Sequence, residues 1–381
     1  MKKNFIPVNR PKVNKTYNLE IIKALKEKWI SGDGPVVQKF EYKFKNLIGR
    51  KHAIAVSNGT SALEIAISSL NLKKGSKIIV PNLTIVSCLN AIIRNNHKPV
   101  FVDVDKDDFN ICIKDLKNKI SKDVKAVIMV HTYGLASNIK EILNLKKKYN
   151  FKVIEDCAEG LGLKYNKKFL GNYGDLSTFS FYSNKLITTG EGGCILTNSL
   201  KYSKRCKEIR NLSFGKNIRF KHQNMSGNYR ISSLQCAYGI SEIKNFRKNI
   251  TLKKKIGNFY NKKLKKFNFL KLPIEKNKTS SNIYWIYPLI IKKKSIINKK
   301  HFQNFMKKNG IATRDFFYPL SQQPFLKHFN IKQTRLKVSK YLFDNGIYLP
   351  SGLGNSFVEF NKVCKIIGEY DSKFSKNREK N

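Results

Sequence analysis

One lysine occupies a position suited to nucleophilic chemistry. Lys185 lies between the aromatic segment Phe179-Ser180-Phe181 and the loop Thr188-Thr189-Gly190-Glu191-Gly192-Gly193. Its neighbours are apolar or hydroxyl residues, whereas most lysines of this chain are expected to be solvated surface charges. A desolvated lysine loses its proton more readily, and its amine becomes a nucleophile. The segment is not a P-loop, because the order G-x-x-x-x-G-K-[ST] is missing.

Acidic residues end an apolar strand in Val153-Ile154-Glu155-Asp156, and Glu159 follows three residues later. The carboxyl end of a strand in an α/β fold faces the ligand crevice. A carboxylate buried there needs a cationic partner, which favours Asp156 as a ligand-binding group. The alternative is that Asp156 only caps a helix.

Two polar turns could also bind ligands. Ser57-Asn58-Gly59-Thr60-Ser61 joins a strand to a helix, and the free N–H groups at a helix N-terminus attract anions. Gly227-Asn228-Tyr229-Arg230 precedes another predicted helix and could offer Asn228 and Arg230 to a ligand. For both turns, the alternative is ordinary helix capping.

These residues are carried by alternating strands and helices. We predict strands at 53–57, 77–80, 99–104, 126–131 and 151–155, separated by helices at 61–70, 85–95, 113–120 and 139–149. This alternation is typical of an α/β fold with a mainly parallel central sheet covered on both faces. Further helices are predicted at 17–29, 36–48, 231–246 and 251–267. The predicted organisation is an N-terminal arm and helix (1–34), a large domain (35–250) and a smaller C-terminal α/β domain (251–381).

Taken together and in this order, the motifs resemble the DegT/DnrJ/EryC1/StrS family of sugar aminotransferases. The resemblance runs from about Gly32 to Ser351, and its most specific parts are the Glu-Asp pair, the Phe-Ser-Phe strand and the Lys-x-x-Thr-Thr-Gly-Glu-Gly-Gly loop. It implies PLP fold type I, the fold of aspartate aminotransferase, with pyridoxal 5'-phosphate (PLP) as cofactor.

The resemblance also implies roles for single residues. Lys185 would bind PLP covalently and Asp156 would pair with the pyridine nitrogen. The cofactor phosphate would be held by Gly59, Thr60 and Ser180, and by Asn228 of a neighbouring subunit, which makes a homodimer with shared active sites part of the expectation. Arg230 would lie near that shared site.

Three positions depart from the family pattern. Ile85 replaces a commonly aromatic residue that stacks on the PLP ring. Glu159 stands where His or Gln is often found near the ring, and an acid there is similar to the subgroup that makes GDP-perosamine. Ser321 replaces a common histidine in Phe316-Phe317-Tyr318-Pro319-Leu320-Ser321, a loop that we expect to face the sugar through Phe317, Tyr318 and Ser321.

The resemblance implies transfer of an amino group from L-glutamate to a nucleotide-linked 4-keto-6-deoxy sugar. GDP-4-keto-6-deoxy-D-mannose, giving GDP-perosamine for surface polysaccharide such as the O-antigen of lipopolysaccharide, is favoured. UDP- or dTDP-linked keto sugars are alternatives, as is a non-catalytic PLP-binding regulator. The presence of Lys185 favours transamination over the C3 dehydration of relatives that have His there.

Composition sets the remaining bounds. The 381 residues include 74 Lys and Arg against 26 Asp and Glu, a formal charge of +48. Such a charge could indicate nucleic-acid binding. The lysines are spread along the chain, however, which favours the alternative that amino-acid usage has drifted toward Lys, Asn and Ile under AT-rich coding DNA. We expect no nucleic-acid partner and, without an 18-residue apolar run, no membrane partner. The seven scattered cysteines predict reduced thiols in a cytoplasmic protein with no metal site.

Overall fold

The computed structural model describes residues 5–13, 18–215, 217–222, 224–292 and 297–375. The predicted N-terminal arm therefore falls partly outside the described residues, which omit 1–4 and 14–17. The helices are α1 (Asn18–Lys26), α2 (Pro35–Ile48), α3 (Gly59–Ser69), α4 (Ser87–Arg94), α5 (Ile113–Lys119), α6 (Ile139–Tyr149), α7 (Leu200–Arg210), α8 (Ser233–Leu264), α9 (Lys299–Lys308), α10 (Lys337–Asn345) and α11 (Phe357–Ser375). None of the helices in these ranges has the length and apolar character needed to cross a membrane.

The strands are β1 (His52–Val56), β2 (Lys77–Pro81), β3 (Lys98–Val102), β4 (Val124–Val130), β5 (Lys152–Asp156), β6 (Lys164–Tyr165), β7 (Lys168–Phe169), β8 (Leu176–Ser180), β9 (Gly193–Thr197), β10 (Leu270–Lys271), β11 (Tyr287–Ile291), β12 (Arg314–Asp315) and β13 (Gly346–Leu349). Within the described residues, seven of them form a central sheet in the order β1-β9-β8-β5-β4-β2-β3.

The central sheet is mainly parallel, as predicted. Strands β8, β5, β4, β2 and β3 run in one direction. Strand β9 is antiparallel to both of its neighbours, so β1 points the same way as β8. The carboxyl ends of β1, β5 and β8 therefore meet at one edge of the sheet, and β9 begins there.

Apolar side chains cover the sheet on both faces. One buried cluster joins the sheet to α2, α6 and α8, and the other joins it to α3 and α4. Each strand of a sheet sends alternate side chains to opposite faces, so residues next to each other in a strand enter different clusters. Val153 and Ile154, for example, lie in different clusters.

A second, antiparallel sheet follows toward the C-terminus. Its order is β10-β11-β13-β12, and α9 and α11 pack on it around a core of its own. This arrangement confirms a smaller C-terminal α/β unit. The boundary that we placed at 250/251 remains a prediction, and α8 runs across it without a break.

The prediction of two helices at 231–246 and 251–267 was wrong, because α8 is one helix of 32 residues. The prediction left residues 247–250 outside both helices. Asn249 is in fact buried, and its side-chain amide donates a hydrogen bond to the Leu186 carbonyl at 3.3 Å. Packing against the Lys185 loop therefore keeps this segment helical.

Candidate active site

A cavity of about 440 Å³ opens at the edge where the carboxyl ends of β1, β5 and β8 meet. Its size is within the usual range for small-molecule sites. Eight of the twelve predicted site residues line it: Gly59, Thr60, Ile85, Asp156, Glu159, Ser180, Lys185 and Phe317.

Strand alternation places Ser180 in the cavity. Phe181 meets the rings of Phe40 and Phe44 edge to face, with centroids 5.4 and 5.1 Å away, and Phe179 meets Phe44 at 5.0 Å. These rings anchor the end of β8 on α2. The intervening Ser180 points to the opposite face and lines the cavity.

The turn after β1 combines capping with a place for an anion. Asn58 caps α3, since its Oδ1 accepts hydrogen bonds from the Ser61 backbone N–H at 2.8 Å and from the Ser61 hydroxyl at 3.0 Å. Gly59 and Thr60 then open the helix at the cavity wall. A Cβ on Gly59 would lie 2.9 Å from the Ser180 Cβ, so glycine lets the two chains approach. The helix N-terminus and the hydroxyls of Thr60 and Ser180 suit a phosphate.

Asp156 ends β5 and is almost completely buried. Its Oδ1 accepts a hydrogen bond from the Ala158 N–H at 3.0 Å, and its Oδ2 accepts one from the Cys88 thiol at 3.4 Å. Burial raises the pKa of Asp156, whereas these hydrogen bonds and the charge of Lys185 lower it. A cationic group in the cavity would therefore be well placed to stabilise the ionised carboxylate.

Glu155, the other acid of the pair, turns to the opposite face and has a structural role. Its carboxylate accepts hydrogen bonds from the backbone N–H groups of Gly171, Tyr173 and Gly174 at 2.6 to 2.9 Å. His131 Nε2 lies 3.2 Å from it. Burial opposes ionisation of Glu155, but His131 and the backbone donors hold its pKa below the usual value.

The same contacts give this cluster a structural role. Among the described residues, His131, Glu155 and Cys157 present possible metal-binding atoms within 4.8 Å of one another. Backbone N–H groups and His131 already bind the carboxylate of Glu155, so its acceptor oxygens are used within the fold.

Lys185 lies in a turn in which its backbone N–H bonds the Tyr182 carbonyl at 2.9 Å. The Nζ atom lies 4.0 Å from the centroid of the Trp285 ring. Burial lowers the pKa of Lys185, while the carboxylates of Glu159 and Asp156 act in the opposite direction. Burial also raises the pKa of Glu159, to about 7. The amine is therefore easier to deprotonate than a surface lysine, as the sequence indicated.

Four predicted site residues lie outside this cavity. Asn228 is exposed and accepts a hydrogen bond from Arg230 Nε at 2.9 Å, and Arg230 also reaches Asp33 at 3.3 Å. Tyr318 is 40% exposed and packs edge to face on Phe343.

Ser321 is fully buried and turned away from the cavity. Its N–H donates to Asn82 Oδ1 at 2.7 Å and its hydroxyl donates to the Thr334 carbonyl at 2.5 Å. A short 3-10 turn over Leu320–Gln322 gives it this inward orientation.

The side chains of the cavity wall that sequence reasoning missed include Trp285, Arg314 and Tyr348. Arg314 is two positions before the Phe316–Ser321 loop that we singled out, so its charge beside that loop was an available signal. Trp285 is one of only two tryptophans in the chain. Nothing in the sequence pattern indicated Tyr348, which reaches the site through its strand β13.

The residues at this cavity fit PLP. A nucleophilic lysine, a buried carboxylate and a phosphate-binding helix N-terminus all line it. Each matches one functional group of the cofactor: the aldehyde, the pyridine nitrogen and the phosphate.

Comparison with known proteins agrees with this chemistry. The model of the DegT/DnrJ/EryC1/StrS aminotransferase family matches residues 11–367. GDP-perosamine synthase of Vibrio cholerae is 33% identical over 368 residues, covering 96% of this chain and 99% of its own. UDP-4-amino-4,6-dideoxy-N-acetyl-beta-L-altrosamine transaminase of Campylobacter jejuni is 32% identical over 313 residues, covering 81% and 82%.

A solved structure confirms the fold. The E. coli GDP-4-keto-6-deoxy-D-mannose-3-dehydratase with bound hydrated PLP superimposes with a TM-score of 0.85 at 24% identity, covering 95% of this chain and 98% of that one. The predicted PLP fold type I is therefore confirmed. Together with the match to the family model along nearly the whole sequence, this shows that the chain belongs to the DegT/DnrJ/EryC1/StrS aminotransferase family.

Proposed function

We propose that this aminotransferase uses PLP to transfer an amino group from L-glutamate to a nucleotide-linked 4-keto-6-deoxy sugar. The observation that carries the proposal is the convergence of Lys185, Asp156 and the Gly59–Thr60 turn on one cavity. PLP, when bound, supplies an electron sink that stabilises negative charge at the α-carbon of the amino donor.

The chain provides the proton chemistry and the orientation. The Nζ of Lys185, with its lowered pKa, would accept the α-proton of the donor as a general base and then deliver it to the cofactor carbon. The carboxylate of Asp156 would hold a proton on the ring nitrogen, because an ion pair favours the charged form. Gly59, Thr60 and Ser180, which line the cavity, would bind the phosphate, and Ile85 would cover the ring with an aliphatic contact.

For the acceptor we favour GDP-4-keto-6-deoxy-D-mannose, so that the product is GDP-perosamine for surface polysaccharide such as O-antigen. The 33% identity to GDP-perosamine synthase supports this choice, and so does the acid at position 159. Glu159 lines the cavity beside Lys185, where it would contact the cofactor ring. The similarity to transaminases named for UDP-linked and dTDP-linked amino sugars keeps UDP- and dTDP-linked keto sugars as the second candidates.

The enzyme in this proposal is a homodimer with shared active sites. Asn228 and Arg230 do not line the cavity of their own subunit, and Asn228 is exposed. That position leaves Asn228 free to reach the phosphate site of a second subunit. We place the reaction in the cytoplasm, and the seven free cysteines support a reducing compartment.

A substrate panel tests the proposal. Purified holoenzyme is incubated with L-glutamate and with the GDP-, UDP- or dTDP-linked 4-keto-6-deoxy sugar, and the 2-oxoglutarate released is measured. We expect the highest kcat/KM with GDP-4-keto-6-deoxy-D-mannose and no turnover by Lys185→Ala. A preference for a UDP- or dTDP-linked sugar would show that this sugar, and not GDP-4-keto-6-deoxy-D-mannose, is the acceptor. Bound PLP without turnover of any acceptor would favour the non-catalytic regulator.

A further inference from the structure

Tyr133 has a backbone conformation that is unusual for a large side chain. Its φ of 52° and ψ of 24° lie in the left-handed region, and the residue is only 1% exposed. Bulky residues adopt this conformation at a cost, and it persists only where the surrounding structure imposes it. Such residues concentrate at functional sites, so the contacts of Tyr133 are informative.

The backbone of Tyr133 contacts the cofactor side of the cavity. Its N–H donates a hydrogen bond to Glu159 Oε2 at 3.0 Å. The next residue, Gly134, has a φ of 96°, and a Cβ there would lie 2.8 Å from the Trp285 backbone nitrogen. The left-handed conformations of Tyr133 and Gly134 therefore let this turn pack closely against the segment that carries Trp285. The Trp285 ring in turn covers Lys185 Nζ.

The side chain of Tyr133 contacts the opposite wall. Its ring stacks on Phe317, with centroids 5.4 Å apart and planes 29° apart, and lies 6.3 Å from the Trp285 ring. Its hydroxyl oxygen accepts a hydrogen bond from the Phe317 backbone N–H at 3.2 Å. Burial raises the pKa of the Tyr133 hydroxyl well above its usual value, so the group stays neutral.

We infer that Tyr133 is a positioning residue that fixes the Phe317 and Trp285 walls of the cavity relative to Glu159. It does not line the cavity itself but contacts four residues that do: Glu159, Trp285, Phe317 and Tyr348. This inference rests on the proposed function, in which Phe317 faces the acceptor sugar. The hydroxyl of Tyr133 therefore acts on acceptor binding, while the donor reaction at Lys185 proceeds without it.

Tyr133→Phe tests the inference because it removes one hydroxyl and keeps the ring. We expect KM for the accepted keto sugar to rise roughly three- to tenfold, as for the loss of one neutral hydrogen bond. The kcat value and the single-turnover rate with L-glutamate alone should stay within about twofold. Tyr260→Phe is the matched control, since the buried Tyr260 hydroxyl bonds the Pro350 carbonyl at 2.8 Å in the smaller unit. Its KM should not change.

A second measurement does not depend on turnover. In a Trp29→Phe background, Trp285 is the only tryptophan, and it is 7% exposed. Asparagine tolerates the left-handed conformation, so Tyr133→Asn removes the ring with little backbone strain. We expect acrylamide to quench Trp285 of the holoenzyme at least twofold more efficiently in this variant.

The outcomes separate the inference from the proposed function. If wild-type protein turns over no acceptor, the proposed function fails and the quenching experiment alone decides whether Tyr133 holds Trp285. If wild-type protein turns over its acceptor but Tyr133→Phe has an unchanged acceptor KM, the inference is overturned. Equal losses of the glutamate and acceptor reactions would also overturn it.

Discussion

The burial of Lys253 predicts how the free energy of unfolding changes with pH. This lysine of α8 is only 4% exposed, and its Nζ donates a hydrogen bond to the Ser351 carbonyl at 2.7 Å. Burial lowers the pKa of Lys253 from 10.5 to about 7. In the unfolded chain Lys253 has its ordinary pKa of 10.5. Between pH 7 and 10.5 the unfolded state therefore binds more protons than the folded state.

The sign and size of the effect follow by linkage. Stability rises with pH wherever the unfolded state binds more protons. The whole shift corresponds to about 5 kcal/mol, and the part realised between pH 7 and pH 9 is about 2 kcal/mol. Lys253→Met removes the titrating group and keeps an unbranched side chain of similar length. The adjacent, exposed Lys254→Met is the matched control.

Urea unfolding at pH 7 and pH 9 measures the effect. The wild-type free energy of unfolding, relative to that of Lys253→Met, should increase by about 2 kcal/mol between the two pH values. Lys254→Met should follow the wild type, and the comparison cancels other titrating groups. If the difference between wild type and Lys253→Met is the same at both pH values, Lys253 remains protonated inside the fold and the argument from burial is refuted.

Three further predictions concern the edge of the sheet. Glu155→Gln places an amide against backbone donors and should lower the free energy of unfolding by about 3 kcal/mol in urea titration, whereas the exposed Asp123→Asn should change it by less than about 0.5 kcal/mol. Gly193→Ala would push a Cβ into the Asn58 carbonyl beside the phosphate turn, so the Kd for PLP, measured by absorbance titration of apoenzyme, should rise about tenfold. Asp156→Asn should still bind PLP but release 2-oxoglutarate about 10²- to 10³-fold more slowly; an activity near the wild-type value would show that no ion pair forms at the ring nitrogen.

Most of the cavity residues that the sequence predicted lie at strand ends of the central sheet, whereas Phe317 was expected there from the family resemblance. Asp156, Ser180 and the Gly59–Thr60 turn each follow a recognisable strand, and parallel strands bring their carboxyl ends to a common edge. Lys185 could be located because it is flanked by that strand and a glycine loop. Periodicity and turn residues indicate where such groups lie, and the family resemblance supplied the role of each residue.

The parts that were missed depend on distant packing. Trp285 and Arg314 reach the cavity from segments about 100 residues or more beyond Lys185, and no local pattern shows which wall they cover. Ser321 was expected to face the sugar because of the family resemblance, but a short turn directs it to Asn82. The continuity of α8 was missed for a similar reason, since the buried Asn249 between the two predicted helices donates its side-chain N–H to the distant Leu186 carbonyl.

The most direct test of the account is to locate the lysine that binds the cofactor. Holoenzyme is reduced with borohydride and digested, and the peptide that carries the pyridoxyl group is identified by mass spectrometry. We expect the group on Nζ of Lys185, and no labelled peptide from Lys185→Ala. A pyridoxyl group on Lys253, a second lysine whose pKa is lowered by burial, or on any surface lysine would contradict this assignment.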